Sequence, residues 1–398
     1  MARTFNVPTF YRSSLVTSIK KSRGDKDPKK KDQSPSVLEF DGLRFHLARH
    51  FGFCFGVENA IETAYRVVEE NPGKRIFLLS EMIHNPKVNK DLWERGVSFL
   101  MKTDGTRLID FKSLNSDDIV IVPAFGTTLE IIEELNELGL NPLAYNATCP
   151  FVEKVWKRSF ELGQNGFTII IHGKKNHEET RATFSHARVS APSVIIKDLN
   201  EAKIVSEFIK GKISSEQFMA IFSDCVSQGF DPKRDLSRVG VVNQTTMLAS
   251  ETAEIASHFK TTMEEVYGKE NLSTHYADTR DTLCYATYEN QSAALALREI
   301  PADLGLVVGG YNSSNTSHLA ELLLESYPTY FIQDADEIIS LDEIRHYDLH
   351  ENKVTIKNKW FPELKDKSDP VVIAITAGAS CPDKTVQEVI TRVKELYS

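Results

Sequence analysis

From residue 42 onward the chain repeats one theme: a short β-rich run, a loop of small or polar residues, then an amphipathic helix. Ile119-Val120-Ile121-Val122 precedes Phe125-Gly126-Thr127-Thr128, Thr168-Ile169-Ile170-Ile171 precedes His172-Gly173-Lys174, and Val241-Val242 precedes Asn243-Gln244-Thr245-Thr246. Downstream, residues 304–308 run into Gly309-Gly310-Tyr311-Asn312-Ser313-Ser314-Asn315, and residues 371–375 run into Thr376-Ala377-Gly378-Ala379-Ser380-Cys381. Alternation of this kind predicts an α/β fold with mostly parallel sheets. In such sheets ligands bind beyond the carboxyl ends of the strands, where these loops fall.

Four of the five cysteines, Cys54, Cys149, Cys284 and Cys381, stand where a strand-like segment gives way to a helical pattern, and no two form a CxxC pair. A thiol in the first turn of a helix meets unpaired backbone N–H groups and the positive end of the helix dipole, which favour the thiolate that binds metal. Cys149 and Cys381 are each followed by proline, the residue pre-set for the first helical position. Cys54 precedes an apolar face at Val57, Ala60, Ile61, Ala64 and Val67. Cys225 lacks this context and reads as an ordinary buried or surface cysteine.

With 398 residues, 41% hydrophobic and 26% charged, the chain has material for two or three domains. No apolar run approaches the ~20 residues that span a bilayer. Five scattered cysteines do not make a disulfide scaffold and point to a reducing compartment and to metal or redox chemistry. The net charge of −9 hides an asymmetry: residues 1–34 carry nine Lys and Arg against three Asp, so the remainder carries −15. An acidic body disfavours general nucleic-acid binding. The basic start, with Lys29-Lys30-Lys31, reads as a flexible, solvated extension, and it lacks the apolar core of a secretory signal.

Loops rich in Ser and Gly bring backbone N–H groups and hydroxyls to a helix N-terminus, where they can cradle phosphate. Helix capping is the plainer reading of the same residues in any one loop. Neither GxxxxGK[ST] nor GxGxxG is present, so nucleotide binding has no direct support. His84-Asn85-Pro86 and His177-Glu178-Glu179-Thr180 hold the residue types that usually donate to an anion and supply protons, although a lone histidine is more often structural. Glu178 and Glu179 read equally as first-turn glutamates favoured by the helix dipole.

Phe51-Gly52-Phe53-Cys54-Phe55-Gly56-Val57, His84-Asn85-Pro86-Lys87-Val88, Ala147-Thr148-Cys149-Pro150, His177-Glu178-Glu179-Thr180, Asn243-Gln244-Thr245-Thr246, Cys284-Tyr285-Ala286-Thr287, Asn312-Ser313-Ser314-Asn315 and Thr376-Ala377-Gly378-Ala379-Ser380 occur in one order along the chain. That series resembles the 4-hydroxy-3-methylbut-2-enyl diphosphate reductases, the IspH or LytB family, from about residue 44 to about 390. The resemblance implies three pseudo-symmetric α/β lobes around a central 4Fe-4S cluster held by Cys54, Cys149 and Cys284, with one iron open. The lobes would be 42–148, 149–281 and 282–398, after a basic extension at 1–41. The helix-start argument admits Cys381 as a fourth ligand, and the family pattern removes it. An open iron suits the chemistry, because a saturated cluster could pass electrons but could not bind a substrate hydroxyl.

By the same resemblance the substrate is an allylic alcohol bearing a diphosphate, reduced and dehydrated to isopentenyl and dimethylallyl diphosphates at the last step of the methylerythritol phosphate route. Glu179 would deliver protons and Thr245 would orient the hydroxyl. His84, His177, Ser313, Ser314, Asn315 and Ser380 would hold the diphosphate. A ferredoxin or flavodoxin type protein would supply electrons, in the cytoplasm rather than a plastid. Two departures stand out: Glu178 occupies a proline position of the family, and Phe125 stands where many bacterial members have a histidine that contacts the diphosphate. The rivals are a non-catalytic iron-sulfur sensor or carrier and a structural zinc site.

Overall fold

The computed structural model describes residues 5–277, 282–363 and 369–398. By contact the chain separates into two compact units, one of residues 1–58, 84–88 and 285–398, the other of residues 59–83 and 89–284.

The first unit is built on a seven-stranded sheet in the order Ser36–Phe40, Leu43–Leu47, Val371–Ala377, Leu304–Val308, Thr329–Ile332, Glu343–Asp348, Lys353–Asn358. Its centre is parallel, Leu304–Val308 pairing in that sense with both Thr329–Ile332 and Val371–Ala377. Leu304–Val308 is buried at every position, as expected where both faces of a parallel strand are covered. The antiparallel pairings lie at the two edges. The outermost strand, Lys353–Asn358, is largely exposed and carries Lys353 and Lys357, charges of the kind that keep an edge from pairing with another chain. Phe45, Leu306, Ile373, Leu319 and Val389 are among the buried residues of one continuous core.

The second unit holds two all-parallel sheets. One runs Val97–Phe99, Ile76–Leu78, Ile119–Ile121; the other runs Ser193–Ile196, Thr168–His172, Val239–Asn243, Tyr276–Ala277. Thr168–His172 and Val239–Asn243 are buried throughout; His177 and Glu179 follow the first at the start of a helix, and Thr245 lies on the loop after the second. The α/β class and the parallel sheets read from the alternation are therefore what the chain adopts.

Instead of a loose arm, the basic start is folded onto the first unit. Ser13 caps the helix Ser14–Lys26, its hydroxyl accepting from Val16 N at 3.0 Å, and Val16 is fully buried in the core. Phe5, Val7 and Tyr11 are buried as well. Ser36–Phe40 then turns through Gly42, at φ 68°, into an antiparallel pair with Leu43–Leu47. The run of charge in this segment stays outside while Phe5, Val7, Tyr11 and Val16 are buried, and those residues give the ordering its physical reason.

Candidate active site and metal-binding cysteines

In the first unit the candidate residues are tied together through the end of strand Val371–Ala377. Ala379 is the hub: its carbonyl accepts from Cys54 N at 3.1 Å, and its N–H donates to Asn315 Oδ1 at 2.9 Å. The neighbouring Ser380 hydroxyl donates to the His84 carbonyl at 3.0 Å. Ser313 caps the helix Ser314–Leu324; its Oγ accepts from Thr316 N at 3.3 Å and from Thr316 Oγ1 at 2.9 Å. Capping, the plainer reading of that serine, is thus realised, yet the Ser313 O–H remains able to donate elsewhere. Asn315 Nδ2 is buried and has no hydrogen-bond partner. A buried amide N–H2 without an acceptor is costly unless something supplies one, and a phosphate oxygen is suited to do so.

Backbone approach is close here. A Cβ on Gly310 would stand 2.5 Å from the His84 carbonyl oxygen. Gly310→Ala is therefore expected to push the His84 segment aside and cost about 1–3 kcal/mol, read as a lowered denaturation midpoint. An unchanged midpoint would show that His84 is not held against this glycine.

In the second unit a continuous set of contacts joins the remaining candidates. Cys149 N donates to Ala124 O at 2.9 Å, fixing Cys149 beside Phe125. Phe125 meets the His177 ring edge-on, with centroids 5.8 Å apart. His177 caps the helix Glu178–Ala187 by accepting from Glu179 N through Nδ1 at 3.2 Å, so its Nδ1 is the unprotonated nitrogen in this contact. Glu179, 1% exposed, is gripped by Thr245 at both oxygens: Thr245 N donates to Oε1 at 2.5 Å and Thr245 Oγ1 to Oε2 at 2.9 Å. Glu178 turns elsewhere and accepts from the Ser80 hydroxyl. The two adjacent glutamates are thereby told apart: one is bonded to the threonine loop, the other to a serine.

Gln244 organises that loop. Its Oε1 accepts from Thr180 Oγ1 at 3.0 Å and from Lys174 N at 3.2 Å, and its Nε2 donates to Thr246 Oγ1 at 2.7 Å. A Cβ on Gly173 would come within 2.5 Å of Thr180 Oγ1, which accounts for glycine there. Asn243 Oδ1 accepts from the Thr282 hydroxyl, joining this loop to the segment that ends at Cys284. Sequence reasoning named Thr245 and passed over Gln244 and Thr282, whose polar burial only the fold reveals.

Each of Cys54, Cys149 and Cys284 directly precedes a helix, Phe55–Glu70, Pro150–Gln164 and Tyr285–Arg298 respectively, and each is half-buried. Burial pushes the Cys54 thiol up from its ordinary value, while the backbone N–H groups of Val57 and Gly56 act in the opposite sense and favour the thiolate. Cysteine sulfurs at helix starts suit an iron-sulfur group in donor type. Among the described residues no three His, Cys, Asp or Glu side chains are gathered as a ready-made metal group. Cys381 differs from the three: it is completely buried in the hydrophobic core, and burial raises its thiol well above the ordinary range. Cys225 packs half-buried against two core clusters, the ordinary setting expected of it.

An α/β protein with thiols at helix starts, a buried glutamate locked to a threonine, and a hydroxyl- and amide-rich strand-end loop defines a class of redox-active enzymes acting on an anionic substrate. The family model for LytB protein matches residues 45–394, and the chain belongs to that family. A relative from Thermosynechococcus vestitus, named 4-hydroxy-3-methylbut-2-enyl diphosphate reductase, is 43% identical over 357 residues, 89% of this chain and 85% of its own length. One from Gloeobacter violaceus with the same name is 41% identical over 389 residues, 97% of this chain and 88% of its own. A solved structure of (E)-4-hydroxy-3-methyl-but-2-enyl diphosphate reductase, described as the terminal enzyme of the non-mevalonate pathway, aligns with a TM-score of 0.52 at 25% identity, covering 88% of this chain and 99% of that one. Among the described residues no helix is long and apolar enough to cross a membrane.

Proposed function

We propose that this chain carries out the reductive dehydration of 4-hydroxy-3-methylbut-2-enyl diphosphate to isopentenyl and dimethylallyl diphosphates, the terminal step of the methylerythritol phosphate route. Two electrons and two protons enter, the allylic C–O bond breaks, and one water leaves. The observation that carries this reading is the buried Glu179 bonded through both oxygens to Thr245, a pair with no use in a plain electron carrier. A non-catalytic sensor or carrier finds no support in the names of the relatives either.

Cys54, Cys149 and Cys284 are the residues that would hold a 4Fe-4S cluster with one iron free of cysteine. When bound, that group supplies the two electrons and a Lewis acid for the hydroxyl. The rest is the work of side chains. Glu179, protonated, gives its proton to the departing hydroxyl oxygen, turning hydroxide into water, a far better leaving group. Thr245 Oγ1 passes a hydrogen bond between that oxygen and Glu179 and holds the carboxyl in one rotamer. His177, bonded to the Glu179 backbone through Nδ1, would donate to the diphosphate and relay protons through its other ring nitrogen. His84, Ser313, Ser314, Asn315 and Ser380 would complete the diphosphate cradle, the unsatisfied Asn315 Nδ2 foremost among them. Electrons would come from a ferredoxin or flavodoxin type donor in a reducing, cytoplasmic compartment.

Phe125 cannot donate a hydrogen bond, so it cannot replace a histidine contact; its role in this reading is to buttress the His177 ring. Phe125→Ala is expected to raise KM for the diphosphate about tenfold with a smaller change in kcat, since edge-to-face ring pairs are worth ~0.5–1.5 kcal/mol and His177 loses its position as well. An unchanged KM would remove that buttressing role. The function itself is tested by substrate-dependent oxidation of a chemically reduced viologen dye under anaerobic conditions. Oxidation that does not depend on substrate would leave only an electron carrier.

A further inference from the structure

The N-terminal segment does more than fold onto the core: it wraps the turn that carries Cys54. Phe5 packs edge-on against Phe55 with centroids 4.8 Å apart, and Tyr11 against Phe53 at 5.8 Å, one ring on each side of Cys54 in sequence. Lys20 Nζ donates to the Phe51 carbonyl at 2.9 Å and to Asp383 Oδ1 at 2.6 Å, lying 4.4 Å from the Phe51 ring centre. Arg12 pairs with Glu58 at 3.2 Å.

Beyond the helix Ser14–Lys26 the lysine-bearing turn is cross-braced. Arg23 donates to Asp32 Oδ2 at 2.9 Å and to Ser34 O at 2.8 Å, and Asp27 Oδ2 accepts from Asp32 N at 2.9 Å. Lys30 reaches both oxygens of Glu289 at 3.0 Å, which seats the turn on the helix Tyr285–Arg298. That helix follows Cys284 directly in sequence. Tyr285 stands four residues before Glu289 and so on the same face, and Tyr288 is its neighbour; they are 68% and 60% exposed. Lys21, Lys26, Lys29 and Lys31 are exposed, and none of them takes part in an ion pair among the described residues. Large exposed aromatic rings on the helix to which Lys30 pins this lysine-bearing turn make an association surface, since aromatic residues are enriched at protein interfaces and charge of one sign steers the opposite.

We propose that this face, Lys21, Lys26, Lys29 and Lys31 with Tyr285 and Tyr288, is where a small acidic one-electron carrier protein docks to deliver electrons. The proposal rests on the reductase reading above. It also resolves a charge problem, because the chain outside residues 1–34 carries −15 and would repel such a carrier, whereas this segment carries +6. The surface adjoins the turn of Cys54 and opens the helix that follows Cys284, two of the three proposed sulfur donors. Each turnover takes two electrons, so two reduced carriers dock in succession and each leaves oxidised by one electron.

The test uses the cluster-loaded full chain and two donors, a reduced acidic 2Fe-2S ferredoxin and reduced viologen. The combined variant Lys21→Gln, Lys26→Gln, Lys29→Gln and Lys31→Gln is expected to raise KM for ferredoxin about tenfold or more at low ionic strength and to flatten the salt dependence of the rate. Viologen-driven turnover should stay as in the unaltered protein. Tyr288→Ser, tested separately, should weaken ferredoxin-driven turnover alone. An unchanged ferredoxin KM in both variants would overturn the proposal, and so would a parallel loss with viologen, which would assign the segment to folding. Failure of the unaltered protein with viologen would instead defeat the reductase reading, and this surface with it.

Discussion

Glu179→Gln is expected to leave the protein folded and the substrate bound while turnover falls by about 10²- to 10⁴-fold. The substitution is nearly isosteric. A glutamine side chain at this position would still offer its carbonyl oxygen to Thr245 N, the shorter of the two bonds, and its amide could donate to Thr245 Oγ1, which accepts as readily as it donates. Packing is therefore kept, and the carboxylic proton is what disappears. Because Glu179 is almost wholly buried, bulk water is poorly placed to substitute for it. The check is paired: steady-state turnover, and substrate affinity by calorimetry on the same preparation. Near-normal turnover would end the proton-donor role, whereas lost affinity with intact turnover would make Glu179 a binding residue. By contrast Glu178→Gln, at a carboxyl bonded to Ser80, should be far milder.

The second large effect separates the cysteines. Cys149→Ser should abolish turnover and strip iron and sulfide from the purified protein, because a serine hydroxyl is a poor replacement for a thiolate toward iron. Cys54→Ser and Cys284→Ser should do the same. Cys381→Ala should keep the metal content and the brown absorption while costing about 0.5–3 kcal/mol of stability, the usual range for trimming a packed core position. Its thiol is enclosed by the core of the first unit, and burial holds it in the neutral form. Loss of iron from Cys381→Ala, with iron retained in Cys149→Ser, would reverse the ligand set. A colourless protein holding zinc would remove it altogether.

Much of the architecture is readable from local pattern. The runs at 119–121, 168–171, 304–308 and 371–375 are strands, and the face Val57, Ala60, Ile61, Ala64, Val67 is buried in a helix that begins just after Cys54. These signals are strong because a parallel strand covered on both faces must be continuously apolar. What stays hidden is long-range pairing. Nothing in residues 43–47 announces that they will lie beside Val371–Ala377, because that pairing is fixed by the sheet as a whole. The basic start reads as a loose extension because nine cations outweigh its dispersed apolar residues, of which Phe5, Val7, Tyr11 and Val16 prove to be buried.

The candidate site divides in the same manner. Helix-start cysteines and the His-Glu-Glu-Thr run are local features, visible in the chain. Which glutamate meets Thr245 is not, since residues 179 and 245 are 66 apart. The choice of Glu179 over Glu178 comes from the family pattern; in the structure the helix starting at Glu178 turns its second residue toward the threonine loop and its first toward Ser80. Ser313 shows the converse. Its capping role is the plainer alternative and is real, which leaves only its O–H for a diphosphate.

The central claim is a dehydrating reduction, and product analysis tests it most directly. Protein purified without oxygen and supplied with reduced viologen and 4-hydroxy-3-methylbut-2-enyl diphosphate should release isopentenyl and dimethylallyl diphosphates, one molecule of product for every two electrons consumed. A brown protein that accepts the electrons and returns the substrate unchanged would contradict the account and leave an electron carrier in its place.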